Sequence, residues 1–243
     1  MTYTSIKNEK IKNLKKLNQK KYRDQEKLFL VEGYHLVEEA YKSGYLKNII
    51  LLENTICSFD VPQIFVSLEV MKYLSDVDSP QNIIGVVSKI EEKEDIGNKI
   101  LVLDDIQDPG NLGTIIRSSV AFGVDTIILS DKTVDLYNSK VIRSSQGMIF
   151  KINIIKKDLL EYVSKLKQEH YQILTTNVIN GKNIKNLEKK EKICIIMGNE
   201  GNGVRKELTL LSDDIIYIKM NKNCESLNVG VATSIILYEI GSD

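Results

Sequence analysis

In the second half of the chain, strand-length segments are apolar almost without interruption: Ile100–Leu103, Thr126–Leu129, Gln172–Thr175 and Ile193–Met197, with a fifth expected at Ile215–Lys219. A strand with one wet face alternates apolar and polar residues. One that does not alternate is covered on both faces, as in parallel sheets flanked by helices. Helical segments fall between these strands, Asp158–Glu169 among them. This half is therefore constrained to an α/β fold with a parallel sheet. Such sheets bind ligands in crevices beyond the carboxyl ends of their strands, and three loops of unusual composition fall there.

The chain has 243 residues, enough for one large or two modest domains. The charged run Lys89–Lys99 lacks apolar periodicity and reads as a linker. Before it, strands at Leu28–Val31, Asn48–Leu52, Ile64–Val66 and Asn82–Val87 alternate with a helix at Tyr34–Lys42, ended by Gly44, and another capped by Ser67. Two domains are expected, residues 1–94 and 95–243, the first a small sheet with helices on its faces.

Charge is balanced overall, 33 basic against 33 acidic residues, but not locally. Residues 1–23 hold eight basic side chains (Lys7, Lys10, Lys12, Lys15, Lys16, Lys20, Lys21, Arg23) and one acid, Glu9, with Ile11, Leu14 and Leu17 at helical spacing. Two readings stand: a solvated helix face, or a helix that contacts phosphates. Cys57, Cys194 and Cys224 are odd in number and lack metal-ligand spacing, which fits reduced thiols of a cytoplasmic protein. The start is polar and lysine-rich, with no apolar leader, and no apolar run approaches the roughly 20 residues of a membrane span. His35 and His170 have no companions at catalytic spacing, and neither a metal site nor a Ser-His-Asp arrangement is expected.

The first loop is Asp108-Pro109-Gly110-Asn111-Leu112-Gly113. It has neither G-x-G-x-x-G nor G-K-[ST], so dinucleotide or P-loop binding does not follow; a plain glycine turn would also explain it. Arg117 lies six residues beyond Asn111. It is expected in the first turns of a helix starting near Leu112, where the macrodipole disfavours a cation unless an anion docks on it. The second loop is Gly198-Asn199-Glu200-Gly201-Asn202-Gly203, ahead of a helix expected near Val204. Its glycines let backbone approach a ligand. Glu200 suits a hydroxyl, amine or arginine, or merely favours the helix start. The third is Cys224-Glu225-Ser226-Leu227-Asn228, entering a helix expected over Leu227–Ile240. That helix is apolar nearly all round and so expected to be buried in a core or a subunit interface. Ser226 is its expected N-cap, and Asn228 is a polar residue in its first turn whose amide needs partners if buried.

In this order, the three loops resemble the signature motifs of the SpoU-type (TrmH-like) RNA ribose 2′-O-methyltransferases of the SPOUT superfamily. The first matches in Asp108-Pro109, Asn111-Leu112-Gly113-Thr114, Arg117 and Ala121-Phe122-Gly123. The second matches in Gly198, Glu200-Gly201 and Gly203, and the third in Ile218, Met220, Ser226-Leu227-Asn228-Val229 and Val231-Ala232. Asp135-Leu136-Tyr137-Asn138, Lys140, Arg143, Ser145 and Gly147 resemble the family's connecting segment. Lys219 and Lys222 stand where the third motif usually has proline and glycine, and Gly230 where it often has serine. Phe29-Leu30-Val31-Glu32-Gly33, Glu38-Glu39-Ala40 and Pro80-Gln81 resemble the family's N-terminal substrate-binding domain, which has an L30e-like fold.

The resemblance implies an α/β SPOUT domain with a C-terminal trefoil knot, an L30e-like α/β domain that holds RNA, and a homodimer formed through the C-terminal domain. It implies S-adenosylmethionine bound around Gly198, Ile218 and Leu227, with Thr176, Met220 and Asn228 nearby. It implies transfer of a methyl group to a ribose 2′-OH, with Asn111, Arg117, Glu200, Ser226 and Asn228 as the catalytic set. Free guanidinium has a pKa above 12, so Arg117 better holds the 2′-oxygen or a phosphate than removes a proton. Asn111 would orient Arg117 or the ribose. Lys12, Lys15, Lys16, Arg23 and Arg143 are the expected RNA contacts. The expected substrate is rRNA (23S); the alternatives are tRNA, or a non-catalytic RNA-binding or ribosome-assembly protein.

Overall fold

The computed structural model describes residues 2–178 and 181–241. The chain runs β1 (Thr2–Tyr3), α1 (Glu9–Lys16), α2 (Lys20–Glu26), β2 (Leu28–Glu32), α3 (Tyr34–Lys42), β3 (Leu46–Leu52), β4 (Gln63–Val66), α4 (Leu68–Leu74) and β5 (Ile83–Ser88). It continues β6 (Lys99–Leu103), α5 (Pro109–Ala121), β7 (Thr126–Leu129), α6 (Ser139–Ser145), β8 (Asn153–Lys156), α7 (Leu159–Gln168) and β9 (Gln172–Thr176). It closes with β10 (Lys182–Asn183), β11 (Ile193–Met197), α8 (Lys206–Thr209), β12 (Asp214–Tyr217) and α9 (Val229–Gly241). Two compact units result: Met1–Glu91 with Asp135–Phe150, and Glu92–Val134 with Lys151–Asp243.

The second unit is built on a seven-stranded sheet of order β10-β12-β9-β11-β6-β7-β8. Every pairing in it is parallel. Its central strands are buried on both faces, as their unbroken apolar runs require. On one face Ile100, Val102, Ile173 and Ile196 pack with Leu159, Val163 and Leu166 of α7. Burial pushes the Cys194 thiol up from its ordinary pKa, which keeps it protonated in this core. The fifth apolar strand stops at Tyr217 rather than Lys219, and the helix expected near Val204 is only α8, beginning at Lys206.

The first unit has a mixed five-stranded sheet of order β1-β4-β3-β5-β2. Ile11 and Leu17 from the basic segment are buried against Ile50, Val66, Val70 and Met71, so that segment is anchored by its apolar stripe. Asp135–Phe150 belongs to this unit, and several contacts hold it there. Tyr137 packs its ring, tilted, against Phe29 at 4.7 Å between centroids and accepts a hydrogen bond from the Ile90 N–H at 3.0 Å. His35 Nε2 donates to the Gln146 carbonyl at 3.1 Å, a packing role for that histidine. The compact units therefore differ from a contiguous division at residue 95: the first ends at Glu91 and takes back a later segment.

Arg23 is corrected by the same contacts. It is 6% exposed, pairs with Asp135 at 2.6 Å and donates to the Leu17 carbonyl at 3.0 Å. Both terminal nitrogens of this buried guanidinium are thus paired, while its Nε has no partner among the described residues, and the group holds the unit together instead of facing RNA. No helix among the described residues is long and apolar enough to cross a membrane.

Candidate active site

The first loop enters its helix earlier than the sequence suggests. Asp108 is the N-cap of α5, its carboxylate accepting the Asn111 N–H at 2.8 Å, and Pro109 occupies the first turn where its missing N–H is harmless. Asn111 is therefore the third helical residue and Arg117 the ninth. Arg117 is not in the first turn, and the macrodipole argument for it does not hold. Six residues on an α-helix also separate side chains by about a third of a turn, so the two do not share a face. Asn111 faces the other loops. Arg117 is exposed and makes no hydrogen bond or ion pair among the described residues.

The second loop is closed by its own backbone. Asn199 and Gly203 exchange N–H···O bonds at 3.1 and 2.9 Å, and Asn199 Nδ2 donates to the Asp105 carbonyl at 2.8 Å. A Cβ on Gly198 would strike the backbone of Gly203 and Val204, so only glycine permits this crossing. The end of the loop is held by Asp104, which is 1% exposed and accepts from the Arg205 backbone N–H at 2.9 Å and Nε at 2.7 Å. Glu200 sits six residues before the first residue of α8, too far to act on that helix start. It instead accepts a hydrogen bond from Asn111 Nδ2 at 2.8 Å.

The third loop leads to α9, and its cap is Asn228 rather than Ser226. Asn228 Oδ1 accepts the Gly230 and Val231 N–H groups at 2.9 and 3.3 Å. Its Nδ2 donates to Asn111 Oδ1 at 2.9 Å. Asn228 is exposed, not buried, and precedes the helix instead of lying in its first turn. A continuous chain Asn228–Asn111–Glu200 thus ties all three loops together.

Beside this chain lies a cavity of about 540 Å3. Thr176, Gly198, Ile218, Met220 and Leu227 line it, as do Glu200 and Ser226; Asn111, Arg117 and Asn228 do not. Among the described residues no basic side chain lines it, while Glu200 and Glu225 do. An apolar wall with carboxylates and no cation suits a ligand that carries positive charge. Thr175 also borders it; its buried hydroxyl has no hydrogen-bond partner among the described residues. Asp104 and Asn199 escaped the sequence reading. Their roles come from partners distant in sequence, which no local spacing signals.

The other residues expected at RNA lie in the first unit. Lys12 pairs with Glu9 at 2.8 Å on the surface, Lys15 donates to the Ser75 carbonyl at 3.3 Å, and Lys16 donates to Asn13 at 2.9 Å. Lys20 pairs with Asp24; with Lys89 it holds the Asp24 carboxyl down at about 2. Arg143 is half-buried in a small recess beside Glu32 and Asp76.

Comparison with known proteins agrees with this geometry. Residues 98–238 match the model of the SpoU rRNA Methylase family, and residues 8–85 match an MRM3-like substrate binding domain. The chain is 39% identical over 241 residues to the 23S rRNA (guanosine(2553)-2′-O)-methyltransferase RlmP of Bacillus subtilis, covering 97% of each. The solved rRNA methyltransferase of Sinorhizobium meliloti superposes with a TM-score of 0.88 at 26% identity, over 99% of this chain and 96% of that one. Its AdoMet-bound form gives 0.87 at 26% identity, over 99% and 97%. With more than half of its residues matched by the family model, and with a relative this similar along its whole length, the chain belongs to the SpoU rRNA methylase family.

Proposed function

We propose that this protein is an S-adenosylmethionine-dependent methyltransferase that methylates a ribose 2′-OH of 23S rRNA. The observation that carries this is the meeting of three loops at one acid-lined cavity, with Asn111 hydrogen-bonded to both Glu200 and Asn228. The full-length likeness to an enzyme named for a guanosine of 23S rRNA supports rRNA over tRNA. Bound in the cavity, S-adenosylmethionine supplies an electrophilic methyl group on a positively charged sulfur. Backbone at Gly198 and Leu227 and the side chains of Ile218 and Met220 would hold it, with Thr176 in the cavity wall beside them. Glu200 and Glu225 would offset its charge.

The remaining chemistry is positioning, which can supply a large part of a displacement's acceleration. Asn111 fixes Glu200 and Asn228 with both ends of its amide, leaving the three loops one arrangement. Ser226, exposed in the cavity wall, is placed to meet the substrate. Arg117 lies off the cavity wall and has no partner among the described residues; it would meet the RNA from outside the cavity, holding the 2′-oxygen or a phosphate and stabilising the developing negative charge.

The finer architecture follows the same assignment. On this reading the second unit would be a SPOUT domain with a C-terminal trefoil knot, and the first would be L30e-like. The protein acts in the cytoplasm as a homodimer through α9, where Val231 and Tyr238, one face apart by seven residues, are 47% and 59% exposed. Lys12, Lys15, Lys16 and Arg143 serve the RNA.

The test is calorimetry with S-adenosylmethionine together with methyl transfer to 23S rRNA transcript. The wild type should bind and transfer. Arg117→Ala, at an exposed position, should bind the cofactor normally and lose transfer at least a hundredfold, on the order of 2.7 kcal/mol. Wild-type turnover in that variant would remove Arg117 from the site. Absence of cofactor binding by the wild type would overturn the proposal.

A further inference from the structure

The first unit holds a cavity of about 400 Å3 that takes no part in the chemistry above. It forms where the start of α3, the loop after β3 and the turn before β5 meet, and Tyr34, Ile56, Pro80, Gln81 and Asn82 border it. Tyr34 is 56% exposed, so much of its ring is open to a ligand. It is also braced. Tyr34 and Tyr41 both lean on the buried Phe59, with ring centroids 5.5 and 5.0 Å away. A ring held this way loses little freedom when something packs on its open face.

The backbone fixes the opposite wall against it. Gly33, at φ +98°, turns the chain from β2 into α3, and its N–H donates to the Ile83 carbonyl at 3.1 Å. The Gln81 N–H donates to the Glu32 carboxylate at 3.0 Å. The side-chain amides of Gln81 and Asn82 are exposed and have no hydrogen-bond partner among the described residues. Among the described residues, none that borders the cavity is charged.

We propose that this cavity receives one unstacked base of the RNA substrate, stacked on Tyr34 with its edge read by the amides of Gln81 and Asn82. The inference rests on the RNA methyltransferase assignment made above. An aromatic face beside free amides matches what an unpaired base offers: a π-face, and an edge of alternating donors and acceptors. The uncharged lining fits a neutral base better than a phosphate or a carboxylate. The whole border falls within residues 8–85, the stretch that matches a substrate-binding domain.

The experiment compares wild type, Tyr34→Ala and Tyr34→Phe in methyl transfer to 23S rRNA transcript, with cofactor affinity, oligomeric state and ultraviolet crosslinking to the same transcript measured alongside. Loss of a stacking ring should raise the KM for RNA about tenfold in Tyr34→Ala, within the range of base–aromatic stacking. The kcat and cofactor affinity should stay near wild type. Tyr34→Phe, which keeps the ring, should recover most of the loss, and wild-type crosslinks should map to Tyr34. An unchanged KM in Tyr34→Ala while the wild type is active overturns the pocket and leaves the enzymatic assignment intact. So does a KM change that tracks a shift in oligomeric state, since the face would then seat a second copy. A wild type that transfers no methyl to RNA overturns the parent assignment and this inference with it.

Discussion

Arg23 and Arg117 carry the same side chain into opposite circumstances. From the sequence, Arg23 belongs to a basic patch and Arg117 stands alone in an apolar stretch. In the fold Arg23 is buried against Asp135, and Arg117 is exposed with no partner among the described residues. The difference was not legible, because Asp135 lies 112 residues away along the chain. What was legible was that Arg117 lacks a structural purpose, and the fold leaves it without one. The Arg23 pair makes a sharp expectation. Asp135→Ala would leave a buried cation without its counter-charge, which costs about 3–5 kcal/mol, read as a lowered midpoint in denaturant unfolding. A midpoint within error of wild type would show that the pair contributes nothing.

At the scale of elements, the buried strands were the most legible part. Thr126–Leu129 and Ile193–Met197 occur as read, because strands covered on both faces carry their own signature. The start of α5 was misplaced by following the apolar spacing at Leu112 instead of the cap at Asp108 and Pro109. At α9, two neighbouring residues both qualified as a cap, and only the fold assigns the role to Asn228. The loop 198–205 depends on a crossing too tight for any side chain at Gly198. Gly198→Ala should therefore displace the loop and weaken S-adenosylmethionine binding at least tenfold, about 1.4 kcal/mol, while far-ultraviolet circular dichroism stays unchanged. Undiminished affinity in calorimetry would mean that the loop shape is not needed for the cofactor.

For the whole molecule, the presence of two units was legible and their composition was not. Charge and lack of periodicity mark a boundary at Lys89–Lys99, but nothing local says that Asp135–Phe150 packs with the first unit. That attachment is made by contacts such as Tyr137 with Phe29, again remote in sequence. The cofactor and substrate classes came from motif resemblance, and the geometry adds what motifs cannot: an acid-lined cavity and one hydrogen-bonded chain through three loops. The most direct test of the central claim is a map of ribose 2′-O-methylation across rRNA and tRNA, in cells with the gene, without it, and with only Arg117→Ala. The expected result is a single site lost from 23S rRNA, restored by the wild type and not by the variant. An unchanged map, or a site lost only from tRNA, would contradict it.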